Sequence, residues 1–152
     1  MLSFAVSWPV LRLMGLEFWR FWDGAAIIIL VGMAVTRIGC LINGCCSGRE
    51  TQGSFGLWLP DEGGEWKRRY PTQLFEAAWS AIILGVGLSL YAPSGRPGLL
   101  FLGSAAAYGI GRFGLELLRA DASCAALPTR INVAFSAVLS LVSLAAFVLK
   151  LR

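Results

Sequence analysis

Four long apolar stretches dominate the pattern of the chain, at about residues 24–42, 73–91, 99–118 and 129–149. A helix needs roughly 20 predominantly apolar residues to cross the hydrocarbon core of a bilayer, and each stretch has that length. The segment before them, "MLSFAVSWPVLRLMGLEFWRFWD", has a shorter apolar run, interrupted by Pro9 and Arg12. Trp8, Phe18, Trp19, Phe21 and Trp22 give it the aromatic density of a membrane–water interface. It predicts a helix lying at the interface over residues 1–23, and not a signal peptide, because no small-residue cleavage site follows a clear apolar core. Polar residues, glycines and prolines collect between the stretches: in 43–72, the longest polar segment, in "YAPSGRPG", and in "RADASCAALPTR". The predicted fold is all-α: a polytopic integral membrane helix bundle of about four transmembrane helices in one domain, 1–152, with residues 43–72 as an external loop.

Composition agrees with that pattern. Of 152 residues, 57% are hydrophobic and only 14% charged, and the mean hydropathy is +0.68. A water-soluble domain of this size needs more polar surface. The net charge of +4 meets anionic lipid headgroups in a membrane protein. No motif for RNA or DNA accompanies it, so nucleic acid is not an expected partner. The basic residues fall on both sides of the four stretches, and their count alone does not set the orientation.

Histidine is absent, which removes the commonest general base and metal ligand near neutral pH. The four cysteines are Cys40, Cys45, Cys46 and Cys124. Their C-x4-C-C spacing lacks the C-x2-C of structural zinc sites, so no metal and no cofactor is expected. A thiol-redox role is disfavoured too: adjacent cysteines close only a strained ring, and no C-x-x-C is present.

The informative residues are the ionisable ones inside apolar stretches: Arg37, Glu76, Arg112 and Glu116. A charge at a helix centre costs about 2.5–3.5 kcal/mol on insertion scales, so such residues face a cavity or a partner. In "AAAYGIGRFGLELLRAD", Tyr108, Arg112 and Glu116 are each four apart and share one helix face, with Arg119 close to one turn further on. One reading is an intrahelical pair that neutralises itself. The other is an arginine held by Glu116 for an anionic guest, and a phosphate matches the guanidinium fork.

"TRIGCLINGCCSGRE", residues 36–50, places Arg37 in an apolar run that Asn43 and Gly44 end, as a helix stop. Gly39, Gly44 and Gly48 permit close backbone approach to a helix or a ligand. "YPTQLFE", residues 70–76, opens the second stretch with Pro71 suited to a first helical turn, and Gln73 and Glu76 on one face. With alternating crossings, Arg37 and Arg112 lie near the same membrane face, a lipid-phosphate arrangement.

Three ordered blocks together resemble the bacterial prolipoprotein diacylglyceryl transferase family. Its signature Gly-Arg-x-Gly-Asn-Phe-x-Asn-x-Glu, followed shortly by Gly, is matched at Arg37, Gly39, Asn43 and Gly48; Thr36, Cys40 and Cys45 depart, the last standing where the signature has glutamate. "YPTQLFE" is similar to the family's His-Pro-Ser-Gln-Leu-Tyr-Glu, with Tyr70 in place of histidine. "YGIGRFGLELLR" is similar to Tyr-Gly-x-x-Arg-Phe-x-x-Glu-Phe-x-Arg, carrying Tyr108, Arg112, Glu116 and Arg119. The resemblance covers roughly residues 18–149 and corresponds to the later part of a family member; the family's earlier His-Gly-Gly helix has no counterpart here.

The resemblance implies transfer of a diacylglyceryl group from phosphatidylglycerol to the lipobox cysteine of a prolipoprotein signal peptide, in the bacterial cytoplasmic membrane. It implies a multi-pass chain with cytoplasmic termini. It assigns catalytic roles to Arg37, Arg112 and Glu116, and substrate contacts to Gly39, Asn43, Gly48, Gln73, Glu76, Tyr108 and Arg119. Glu116 or Glu76 is the expected base. The attacking thiol belongs to the substrate, so Cys45 and Cys46 are expected to be dispensable for lipid binding. The rival reading is a non-catalytic phospholipid-binding or assembly protein that keeps the phosphate site.

Overall fold

A computed structural model of the chain describes residues 2–60, 64–91, 95–116 and 129–151. Its elements are α1 (Leu2–Leu13), α2 (Phe18–Ile42), β1 (Leu57–Pro60), β2 (Trp66–Arg69), α3 (Thr72–Leu90), α4 (Leu99–Glu116) and α5 (Thr129–Leu151). The mostly helical expectation holds. Two helices, Phe18–Ile42 and Thr72–Leu90, are long and apolar enough to cross a membrane; shorter apolar stretches occupy Leu99–Leu115 and Ser136–Lys150.

The N-terminal segment is divided differently from the expectation. α1 ends at Gly15, whose φ of 68° is open to glycine. There Gly15 N–H bonds Arg12 O at 3.2 Å and Leu16 N–H bonds Leu11 O at 3.0 Å, closing the last turn in a Schellman motif. The aromatic cluster from Phe18 onward is therefore the start of the 25-residue α2, not part of a separate surface helix. No breaker stands between Phe18 and the apolar run, so the helix simply continues. Trp22 then donates to Ser7 Oγ at 3.2 Å and packs on Phe101 with ring centroids 5.0 Å apart, joining α1 and α4 to α2.

The helices pack through small residues. A Cβ at Gly109 would come within 2.8 Å of Ser140 on α5, and one at Gly111 would overlap the Trp79 indole of α3; such positions allow the close approach that membrane helices use. Trp79 Nε1 donates to Ala107 O at 3.1 Å, tying α3 to α4. Asp23, buried on α2, accepts from Gly98 N–H at 2.6 Å and Phe101 N–H at 2.9 Å. It thus satisfies orphan donors at the first turn of α4 from another helix, where a local N-cap residue would ordinarily act.

The segment 43–72 is not a plain loop. β1 and β2 form an antiparallel hairpin with Leu57 opposite Arg69 and Pro60 opposite Trp66. Residues near 50 lie along its free edge: Thr51 N–H bonds Arg68 O at 2.9 Å, and Gly48 N–H bonds Tyr70 O at 2.8 Å. Ion pairs from Glu50 to Lys67 (3.3 Å) and Arg69 (3.2 Å) hold the edge on the exposed side. The hairpin leads directly into Pro71 and the first turn of α3.

Candidate functional site

The polar residues of α3 form a buried stripe at its hairpin end. Thr72, Gln73, Glu76 and Ser80 are all buried, Gln73 at 1% exposure and Glu76 at 4%. Helical spacing stacks them on one face, and that face meets the ends of α2 and α4. Glu76 Oε2 accepts from Arg37 Nε of α2, and Glu76 Oε1 accepts from Arg112 Nη1 of α4. One carboxylate therefore bridges two guanidinium groups, on three different helices. The arginine side chains are 21% and 18% exposed, enough for the site to meet a ligand without being solvated like a surface pair.

The electrostatics follow from the count. Two guanidinium groups and one carboxylate carry a net charge of +1, at a depth where uncompensated charge is costly. Each guanidinium has five N–H donors in a planar fork, and Arg37 Nε and Arg112 Nη1 face Glu76. A monoanion with several oxygens, such as a phosphodiester, complements both the charge and the fork geometry. Tyr108, half-buried one turn before Arg112, lies within electrostatic reach of Arg37.

The neighbouring loop is fixed by the same stripe. Gln73 Nε2 donates to Cys45 O at 2.7 Å, and Thr72 Oγ1 donates to Cys46 O at 2.9 Å. Gln73 Oε1 is buried and has no hydrogen-bond partner among the described residues, so an acceptor stands ready beside Glu76. α2 itself stops as its sequence predicts: Asn43 is the C-cap, Gly44 adopts φ 70°, and Cys45 N–H returns to Cys40 O at 3.1 Å. A Cβ at Gly44 would sit 2.8 Å from Pro60 Cγ, so this glycine is required for the turn and for the hairpin to pack.

Arg37, Glu76, Gln73, Arg112 and Tyr108 are thus gathered at one end of the bundle. Other expected residues are placed elsewhere. Asn43 is an exposed helix cap. A Cβ at Gly39 would meet open space, so no neighbouring helix needs glycine there. Gly48 is buried in the backbone pairing with Tyr70. Glu116 ends α4 but its side chain lies outside the described residues, as do Arg119 and Cys124. Arg112 meets the carboxylate of Glu76 across the bundle; the expected pair with Glu116 on its own helix lies outside the described residues. Sequence reasoning passed over Asp23, for which an acidic residue at the edge of an apolar stretch was the available signal.

A largely apolar cleft of about 570 Å³ lies between α3 and α4. Trp79, Ile83, Gly87, Leu100, Ser104 and Phe147 line it, and Arg20 and Arg96 stand at its far end. Trp79, on its lining, is one turn along α3 from Glu76.

The sequence finds relatives among known proteins. The family model described as prolipoprotein diacylglyceryl transferase matches residues 1–149. The chain belongs to that family. The match to this transferase family begins at the first residue, earlier than the motifs alone imply. Curated relatives named phosphatidylglycerol–prolipoprotein diacylglyceryl transferase include one from Acaryochloris marina, 32% identical over 117 residues, which covers 72% of this chain and 43% of that protein. One from Shouchella clausii is 36% identical over 118 residues, covering 70% of this chain and 41% of that protein. One from Geobacillus kaustophilus is 32% identical over 149 residues, covering 91% and 54%. The chain spans about half the length of the curated relatives it matches.

Proposed function

We propose that this chain works as a diacylglyceryl transferase of the bacterial cytoplasmic membrane, drawing on phosphatidylglycerol and modifying a prolipoprotein cysteine. The observation that carries the reading is the carboxylate of Glu76 bridging Arg37 and Arg112, with an apolar cleft lined by Trp79, one turn along α3. A phospholipid needs that combination: net positive charge for its phosphate and an apolar trough for its chains. Gln73 Oε1 is a buried acceptor suited to a headgroup hydroxyl.

In the reaction, the substrate thiolate sulfur attacks the glycerol carbon bearing the phosphate ester. A carbon–sulfur bond forms, the carbon–oxygen bond breaks, and glycerol phosphate leaves with the electron pair. Arg37 and Arg112 stabilise the charge that develops on the departing phosphate oxygens. The proton released by the thiol goes to a carboxylate. Both Glu76 oxygens are committed to arginines, so Glu76 serves as the positioning group and Glu116 is the better placed base on sequence grounds. In this arrangement four helices, α2 to α5, cross the bilayer, the hairpin faces outward and both termini are cytoplasmic.

The engagement of both Glu76 oxygens also favours a second reading, a phospholipid-binding protein without turnover. The two separate in one experiment. The full chain is reconstituted in phosphatidylglycerol vesicles with a lipobox-cysteine signal peptide, and the peptide is followed by mass spectrometry. Transfer adds a thioether-linked diacylglyceryl group and releases glycerol phosphate. Saturable lipid binding with an unmodified peptide would establish the second reading instead.

A further inference from the structure

A second cluster lies beside the arginines, and neither the family's chemistry nor the phosphate site uses it. The thiol sulfurs of Cys40, Cys45 and Cys46 all lie within 4.8 Å of one another, each half-buried and free of disulfides. Linear spacing argued against this. The end of α2 overcomes it: the Schellman turn through Gly44 folds Cys45 back onto Cys40, with the Cys45 N–H to Cys40 O bond at 3.1 Å. Cys46 then takes a left-handed φ of 62°, the one such non-glycine residue among those described. A side chain there costs roughly 1–2 kcal/mol relative to the right-handed form, a strain that persists only where the surroundings hold it. Here they do, since Gln73 and Thr72 pin the carbonyls of Cys45 and Cys46 to α3.

We propose that Cys40, Cys45 and Cys46 form a three-thiolate site for a soft, closed-shell cation of the zinc(II) or copper(I) type. Soft thiolates select such ions over the hard cations. With metal–sulfur bonds of about 2.3 Å, tetrahedral geometry places ligand sulfurs about 3.8 Å apart. The thiols must therefore close by about 1 Å at most, which side-chain rotation supplies without moving the pinned backbone. Three thiolates around a divalent ion leave a net charge of −1. Arg37, one turn before Cys40, lies within electrostatic reach of both Cys40 and Cys46. Three protein ligands also leave a fourth tetrahedral position open, as in zinc sites that bind an exogenous group. The proposal is independent of the transferase reading: a chain that only binds lipid would carry the same site.

The test uses the full chain purified in detergent, reduced and kept anaerobic. Cadmium(II) serves as the spectroscopic probe, read by its ultraviolet thiolate charge-transfer band, and zinc(II) as the protecting ion in an alkylation experiment read by intact mass. One cadmium per chain is expected. Cys40→Ser, Cys45→Ser and Cys46→Ser should each lower the band by about a third and weaken binding at least about tenfold. Cys124→Ser should titrate as wild type and show three alkylations without zinc and none with it. The protection experiment on Cys124→Ser keeps all three proposed ligands, so it reads the site even where a ligand variant fails to fold. Equal alkylation with and without saturating zinc would overturn the proposal, as would a disulfide among the three cysteines in chain isolated from its membrane with thiols trapped.

Discussion

Replacing Glu76 by Gln keeps the shape of the side chain and removes the charge that joins three helices. The amide can still accept one hydrogen bond, from one guanidinium. Its NH2 group then faces the N–H of the other arginine, donor against donor. Breaking one partner of a buried ion pair costs about 3–5 kcal/mol when the remaining charge has no relief. Here the arginine side chains are 21% and 18% exposed, and one charged hydrogen bond, worth about 1.5–3 kcal/mol, is retained. The net destabilisation is therefore about 2–4 kcal/mol, the first figure reduced by about 1 kcal/mol for the partial exposure and the retained bond. A chain of this size shifts by about 2–4 °C per kcal/mol, so thermal unfolding in a zwitterionic detergent should fall by about 5–15 °C. A further sign is specific to an anion site. Phosphatidylglycerol, added to the micelles, supplies the missing negative charge and should restore Glu76→Gln more than it stabilises wild type, whereas phosphatidylcholine should restore it less. A loss under about 2 °C for Glu76→Gln would refute the three-helix bridge.

Three further outcomes follow from the packing. Asp23→Ala removes the acceptor of two N–H groups at the start of α4 and should cost about 1–2 kcal/mol, seen as faster proteolysis near residue 98 and a lower unfolding temperature. Gly111→Ala places a methyl group in the Trp79 indole and should cost about 1–3 kcal/mol, with a shift in tryptophan fluorescence as the ring moves. The Cys45→Ser, Cys46→Ser pair should keep phosphatidylglycerol binding within about threefold, because the backbone carbonyls and not the thiols meet Gln73 and Thr72; a loss beyond about tenfold in folded protein would tie the thiols to the lipid site.

Much of the site was legible because charge inside an apolar stretch is conspicuous. Arg37, Glu76 and Arg112 stand out for that reason alone, and all three converge. Their pairing was not legible. Periodicity says which residues share a helix face, and by that measure Glu116 was the natural partner of Arg112; it does not say which helices are neighbours, and it is α3 that brings Glu76 between α2 and α4. The helix stop at Asn43 and Gly44 was readable from residue type, yet its consequence was not. A left-handed turn reverses the chain and gathers three thiols that linear spacing keeps apart. The hairpin at Leu57–Pro60 and Trp66–Arg69 escaped notice because four-residue strands with mixed charge give too short an alternation to stand out from a loop. At the N-terminus, aromatic density suggested a helix lying at the interface as far as residue 23, whereas Phe18 and Trp19 begin the 25-residue apolar helix α2.

The most direct test of the central claim is the affinity of the full chain for phosphatidylglycerol, measured by native mass spectrometry in detergent, for wild type and Arg112→Lys. Lysine keeps the charge and loses the planar fork. Loss of one charged hydrogen bond is worth about 1.5–3 kcal/mol, or roughly tenfold to more than a hundredfold in affinity. The account predicts a loss in that range for phosphatidylglycerol, with an unfolding temperature close to wild type once lipid is absent. If Arg112→Lys binds the lipid as wild type does, the arginines and Glu76 only hold helices together, and the phosphate of the substrate must bind elsewhere.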